Sequence, residues 1–229
     1  MIHYGKQSIN QDDIDAVVNV LKSDFLTQGP KVAEFENDLA DYCKVKHVKV
    51  VNSGTAALHL AYLAIGLEQD DIVWTASNTF VATANAALYC GASVDFVDID
   101  SKTYNLSIDC LKEKLIQAKK DSRLPKLVVP VHFAGQSCEM KAVWELSKEY
   151  GFKIIEDASH ALGGEYLDKK IGCCEYSDMA VFSFHPVKMI TTGEGGAITT
   201  NNKQLNEKIE LLRSHGITKD VTKFINESD

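Results

Sequence analysis

The chain has 229 residues, 45% of them hydrophobic and 24% charged, which is ordinary globular composition and enough to bury a sizeable core. A formal net charge of −8 argues against generic binding to nucleic acid or to an anionic membrane surface. The six cysteines show no CxxC spacing, no apolar run reaches spanning length, and Met1–Lys6 lacks the charged-then-apolar order of a signal peptide, so a cytoplasmic protein with reduced thiols is expected.

Residues 1–10 read as extended. Asn10 to Asp13 offers a helix start, and Ile14, Val17, Val18 and Leu21 then recur at helical spacing. Ser23 to Pro30 breaks that pattern and reads as a loop. A second amphipathic helix is predicted from Lys31 to about Tyr42, with Val32, Phe35 and Leu39 on its inner face. His47–Val51 is a short strand, followed by Asn52-Ser53-Gly54-Thr55 and a helix over Ala56–Ala64. A strand, a Ser-Gly-Thr turn and an Ala-rich helix make a natural anion site, because free N–H groups and the positive end of the helix dipole meet there. An ordinary helix cap explains the same residues. His59, inside that helix, reads as packed.

Asp71–Thr75 is the next strand, and Asn78-Thr79-Phe80 opens a helix over Val81–Tyr89, which Phe80 could staple to the sheet. Ser93–Val97 is a strand; its continuation Asp98-Ile99-Asp100 lacks the glycine and glutamate of a calcium loop and reads as a solvated turn, so no metal site is expected. A helix from Ser107 to about Lys119 precedes a buried strand over Lys126–Val131. His132 follows at that strand's carboxyl end, with no partner visible in the sequence. Glu139–Tyr150 is a helix and Phe152–Glu156 a strand ending in Asp157-Ala158-Ser159-His160. The i, i+3 spacing of Asp157 and His160 suits one face of a helical turn. Cys173-Cys174 reads as two small core or loop residues, and Asn202 to about His215 as a helix with Leu205, Ile209 and Leu212 inward.

Lys188 lies between two strand-like runs, Met179–Phe184 and Gly196–Thr200. Glycines at 193, 195 and 196 allow a tight backbone path beside it. A solvated loop lysine is the bland alternative. Asp157 shifts the balance, since a carboxylate at the carboxyl end of an α/β strand sits where such sheets bind ligands. A lysine held against something flat, with an acid nearby, suits pyridoxal phosphate (PLP), which needs an amine for its aldehyde and an acid for its ring nitrogen. The glycine run is not a dinucleotide fingerprint: Ile198 stands where the third glycine of that pattern would fall, and the run follows a lysine loop, which disfavours a nicotinamide-dependent epimerase or reductase.

Glu156–Gly163, Ser183–Lys188 and Gly193–Ala197 together resemble the DegT/DnrJ/EryC1/StrS family of PLP-dependent sugar aminotransferases, over Tyr4 to about Lys219. The alternating elements and the resemblance both imply an α/β fold, a fold type I PLP-dependent transferase domain with a mostly parallel sheet and helices on both faces. The resemblance implies that Lys188 carries PLP, Asp157 faces its ring nitrogen, His160 sits beside the ring and Phe80 stacks on it. It assigns the phosphate to Ser53, Gly54, Thr55 and Ser183, and the nucleotide-sugar to Tyr4, Asp24, Phe25, Leu26 and Thr27. Tyr4 on its own would be read as an N-terminal packing residue, and His160 as a satisfied core histidine.

Within the family, Phe25–Pro30, Ser159–Tyr166 and Leu212–Gly216 look most like members that move an amino group from L-glutamate to the 4-keto group of a UDP-linked hexose. Relatives that dehydrate sugars lack the lysine, so Lys188 favours transfer. Family members continue into a smaller C-terminal domain and act as homodimers. Residues 1–229 are therefore expected to be the large PLP-binding domain, with an arm over 1–30 and the small domain missing; the alternatives are an aminotransferase for another nucleotide-linked 4-keto sugar or an inactive truncated remnant.

Overall fold

The computed structural model describes residues 5–218 and 221–223; Tyr4 lies outside them. Helix α1 (Gln11–Leu21) starts at a capping box, where the Asn10 side chain accepts from the N–H of Asp12 and Asp13 and Asp13 accepts from the N–H of Asn10. Its expected inner face is not buried: Ile14, Val17 and Leu21 are exposed, because no other described element packs over them. Helix α2 (Pro30–Cys43) has proline in its first turn, where the missing N–H costs nothing. It buries Leu39 and Cys43 and turns at Lys44, which takes a left-handed conformation.

The elements that follow are β1 (His47–Val51), α3 (Gly54–Ala64), β2 (Ile72–Ala76), α4 (Val81–Tyr89), β3 (Ser93–Val97), α5 (Ile108–Lys120), β4 (Leu127–Val129), α6 (Met140–Tyr150) and β5 (Lys153–Asp157). A hairpin, β6 (Glu165–Tyr166) and β7 (Lys169–Lys170), precedes β8 (Met179–Ser183), β9 (Gly196–Thr200) and α7 (Lys203–Arg213). Among the described residues, seven strands form one sheet in the order β1-β9-β8-β5-β4-β2-β3. The run from β3 through β2, β4 and β5 to β8 is parallel, and β9 adds antiparallel to β8, with β1 antiparallel beyond it. The sheet is therefore mixed at one edge, where the loop that carries Lys188 returns β9 antiparallel to β8 and β1 pairs antiparallel beyond it.

Helices cover both faces. Ala57, Ala61 and Tyr62 of α3, Ala82 and Ala86 of α4 and Ile209 of α7 pack on one face against Val73, Val129, Ile155, Val181 and Ile198. On the other, α5 and α6 pack through Leu111, Leu115, Val143 and Leu146 over Trp74, Val128 and Ile154. Beside them Leu39 of α2 and Phe182 and Ala197 of the sheet form a third cluster. The connection leaving β2 takes α4 to one face, whereas the connection leaving β4 takes α6 to the other. A crevice opens at the carboxyl ends of strands where connections diverge in this way.

The six cysteines form no disulfide. Burial pushes the Cys43 thiol up to about 11 and raises Cys174 further, which leaves both protonated and unreactive at neutral pH. Among the described residues, no helix is long and apolar enough to cross a membrane.

Candidate active site

Period-two alternation along β5 sends Glu156 and Asp157 to opposite faces. Asp157 shares its face with Ile155, toward α3 and α4, and is only 4% exposed. Its backbone is tied on both sides: its N–H donates to Pro130 O at 2.9 Å, its carbonyl accepts from His132 N at 3.1 Å, and Ala158 N donates to Val181 O at 2.9 Å. Its carboxylate is also held. Thr83 Oγ1 donates to Oδ2 at 2.7 Å, and Ser159 N donates to Oδ1 at 3.2 Å. Lone pairs remain on both oxygens for a further donor.

Phe184 closes the loop that carries Lys188. Its N–H donates to Gly195 O at 2.8 Å, and its carbonyl accepts from Thr192 N at 3.1 Å and Thr191 Oγ1 at 2.9 Å. Its ring is buried against Phe35 of α2. Lys188 N donates to His185 O at 2.9 Å, and its side chain is half-buried. Desolvation lowers the Lys188 pKa from the ordinary lysine value, and the Asp157 carboxylate opposes that shift. His160 is lowered by desolvation first and by the Lys188 charge second, again against Asp157. Lys188, Asp157 and His160 thus lie close enough for each to act on another's charge. His160 sits in a turn after β5, where Ala161 N donates to Ala158 O at 2.9 Å, rather than on the helical turn its spacing suggested.

Ser53 caps α3, its Oγ accepting from Ala56 N at 3.1 Å. The N–H groups of Gly54 and Thr55, in the first turn, have no helical carbonyl to serve and are free for an anion. Packing explains the glycines here. A Cβ on Gly54 would lie 2.9 Å from the Ser183 Cβ, and one on Gly196 would lie 2.4 Å from Ser53 O. The end of β8, the start of β9 and the α3 turn therefore converge with no room for side chains, and Ser183 borders the free N–H groups. Donor N–H groups at a helix start, two hydroxyls, a half-buried amine and a buried acid suit an aldehyde cofactor with a phosphate and a basic ring.

Phe80 caps α4 with its ring 71% exposed; it does not staple the helix to the sheet, and its face is available to a ligand. Asp24, Phe25, Leu26 and Thr27 form an exposed loop whose hydrogen bonds are local, with Ser23 Oγ bonded to Val20 O and Phe25 O. The N-terminal arm does reach the site's rim: a Cβ on Gly5 would lie 3.1 Å from Val187 Cα.

Sequence reasoning missed Thr83, which touches Asp157, and the partner of His132. The His132 ring is buried, its Nε2 2.8 Å from Glu156 Oε2. Cys138 N donates to Nδ1 at 3.1 Å, so the ring proton sits on Nε2 and points at Glu156. Ser177 Oγ donates to the other Glu156 oxygen at 2.5 Å. Two adjacent acids ending a buried strand were the available signal, since each needs its own donors on its own face.

A chain about 50% identical over 219 residues is the UDP-4-amino-4,6-dideoxy-N-acetyl-beta-L-altrosamine transaminase of Campylobacter jejuni; the match covers 96% of this chain and 56% of that one. The solved structure of Helicobacter pylori PseC, an aminotransferase involved in the biosynthesis of pseudoaminic acid, superposes with a TM-score of 0.87 at 39% identity, over 96% of this chain and 57% of that one. The PLP form of the sugar aminotransferase Spr1654 from Streptococcus pneumoniae gives a TM-score of 0.83 at 27% identity, over 95% and 59%. The chain thus spans somewhat more than half the length of these relatives. Residues 7–228 match the family profile, and the chain belongs to the DegT/DnrJ/EryC1/StrS aminotransferase family.

Proposed function

We propose that this chain forms the PLP-binding part of an aminotransferase. It would move an amino group from L-glutamate to the C4 keto group of a UDP-linked 2-acetamido-2,6-dideoxy-4-keto hexose, a step of pseudaminic acid biosynthesis. The observation that carries the reading is the convergence, at the ends of the strands, of the free N–H groups of the α3 turn with Ser183 and the loop of half-buried Lys188, beside the buried Asp157 carboxylate. The altrosamine transaminase and PseC matches support the choice of sugar. Residues 1–229 correspond in this reading to the large domain with its arm over 1–30, acting in the cytoplasm and, in the full-length form, as a homodimer.

When bound, PLP supplies an aldehyde that exchanges amines and a ring that takes up electron density. The chain's residues do the rest. Desolvation keeps more of Lys188 Nζ neutral than an exposed lysine would be, which suits it to carry the cofactor and to take a proton from the donor's Cα. Asp157 would hold a proton on the ring nitrogen, and Phe80 would offer its face to the ring. The Gly54 and Thr55 N–H groups, with Ser53 and Ser183, would hold the phosphate. Desolvation first and the Lys188 charge second lower the His160 pKa, which disfavours a second cation near the amine. Tyr4 and the Asp24–Thr27 loop meet the nucleotide-sugar.

The test is a two-substrate assay: the PLP-loaded chain with L-glutamate and the UDP-linked 4-keto sugar, followed by mass spectrometry. The expected product is the UDP-4-amino sugar with 2-oxoglutarate formed in equal amount. Conversion of a differently linked 4-keto sugar in its place would overturn the substrate assignment. Absence of 2-oxoglutarate formation from L-glutamate by a PLP-loaded chain would overturn the reaction.

A further inference from the structure

Helix α4 is rich in alanine on its buried face, and Thr83 interrupts it in the first turn. Threonine in a helix commonly donates back to the i−4 carbonyl. Here its hydroxyl does something else. Asp157 as a carboxylate can only accept, so the Thr83 proton must point at Oδ2, 2.7 Å away. The Thr83 oxygen is then free to accept, and Thr79 Oγ1 donates to it at 2.8 Å. The Thr83 carbonyl is also engaged, accepting from Tyr62 Oη at 3.0 Å. Tyr62 is fully buried and belongs to α3, the helix whose first turn presents the free N–H groups. Thr79 directly precedes Phe80.

One fully buried threonine therefore links three separate parts of the site: the acid on β5, the loop that carries the aromatic ring, and the helix with the anion-binding turn. We propose that Thr83 is a positioning residue that holds the Asp157 carboxylate oriented and in register with Phe80, so that the acid keeps a proton on the cofactor's ring nitrogen. Thr79 supports it by filling the acceptor side of the Thr83 hydroxyl, which leaves the Thr83 proton one destination. Without the hydroxyl, Oδ2 of the nearly buried Asp157 loses a donor, and the carboxylate can rotate about its own χ2 away from the cleft. This inference rests on the PLP reading above.

The test compares Thr83→Val, which keeps the shape and removes the hydroxyl, with Thr83→Ser, which keeps the hydroxyl. Two readouts are taken on the full chain: PLP affinity by absorbance titration, and the nitrogen-15 shift of labelled PLP bound at pH 8. Thr83→Ser is expected to match the parent in both. Thr83→Val is expected to bind PLP about tenfold more weakly, the loss that follows from one hydrogen bond to a buried charge, and to show the shift of an unprotonated ring. Thr79→Val, which leaves the Thr83 donation intact, is expected to lose affinity by about threefold or less and to keep the protonated shift. Should the valine variant not fold, Thr83→Ala against Thr83→Ser reads the same contrast. A merely structural role would lower the melting temperature and leave the shift unchanged. That result, or Thr83→Val affinity within twofold of the parent, would overturn the proposal. A parent chain that takes up no PLP would overturn the cofactor reading and this inference with it.

Discussion

Gly196→Ala places one methyl group against the turn that presents the free N–H groups. Gly196 begins β9, and a Cβ there would lie 2.4 Å from Ser53 O, 2.5 Å from Ser53 C and 2.8 Å from Gly54 N. All three are backbone atoms, so no flexible side chain can move aside. Ordinary contact requires about 3.4 Å or more, so the Ser53–Gly54 peptide must retreat by something near an ångström, or β9 must shift. Both options are resisted: Ser53 O accepts from Ala57 N at 3.0 Å, and Gly196 is paired with Ser183 and Val51. Overpacking of this kind costs about 1–3 kcal/mol. Because the displaced peptide is the proposed phosphate cradle, cofactor affinity should fall as well. Gly151→Ala is the control: it sits at the C-terminus of α6 with φ +83 and open space around it. Conformation alone should cost it roughly 1 kcal/mol, far from the site. Urea denaturation with a PLP titration separates the two. The account predicts lost stability for both variants and lost PLP affinity for Gly196→Ala only. A Gly196→Ala variant with affinity and stability within error of the parent would refute the packing argument.

Removing the Lys188 charge should raise the His160 pKa toward its ordinary value, because that charge is one of the causes that lower it; a histidine NMR titration of Lys188→Met checks the direction. The same shift sets a pH dependence. A histidine whose folded pKa lies below its unfolded value of about 6.5 binds more protons unfolded, so its contribution to stability rises with pH up to that value and is lost below it. Urea midpoints of the cofactor-free chain between pH 5 and 8 should show this rise, and His160→Asn should flatten it. His132→Leu strands Glu156 in the core with Ser177 alone and should cost about 3 kcal/mol or more, whereas Glu156→Gln keeps an acceptor for His132 and should cost much less; equal losses in urea denaturation would count against the Nε2–H tautomer. Arg213→Met should cost roughly 1–2 kcal/mol, since Glu36, which also accepts from Val50 N at 3.0 Å and lies 3.6 Å from Lys49, is left short of one donor.

Elements bounded by strong punctuation were readable residue by residue. His47–Val51, Val81–Tyr89, Ser93–Val97 and Gly196–Thr200 have the ends that the pattern gives, because a cap, a glycine or a turn residue stands at one or both ends of each. The β6–β7 hairpin was not readable. Its turn puts Leu167 and Asp168 at φ +48 and +60, a conformation usually signalled by Asn-Gly or Asp-Gly, and here no such pair advertises it. The antiparallel placement of β1 and β9 was equally hidden, because each strand's own pattern is silent on its neighbour's direction. Helix α1 has a clear apolar stripe, yet Ile14, Val17 and Leu21 of it stay exposed; periodicity reports a face, not what covers it.

The site shows the same division. Lys188 and Asp157 stood out as candidates because a lysine in a glycine-rich loop and an acid at a strand end are locally unusual. Ser53, Gly54 and Thr55 were legible as a helix start, although the reason for Gly54 is Ser183, far along the chain and visible only after folding. Thr83 was not found, since one hydroxyl in an alanine-rich helix looks neutral until its partner on β5 is known. His132 had no partner in the sequence because Glu156 reaches it across two neighbouring parallel strands.

The most direct measurement of the central claim is borohydride reduction of the chain incubated with PLP, followed by peptide mapping, with Lys188→Ala alongside. The account predicts a visible band in the parent, loss of that band on reduction, and a single pyridoxyl-modified peptide carrying Lys188, with none in the variant. A folded parent chain that shows no band, or one modified at another lysine while Lys188→Ala is modified equally, would contradict it.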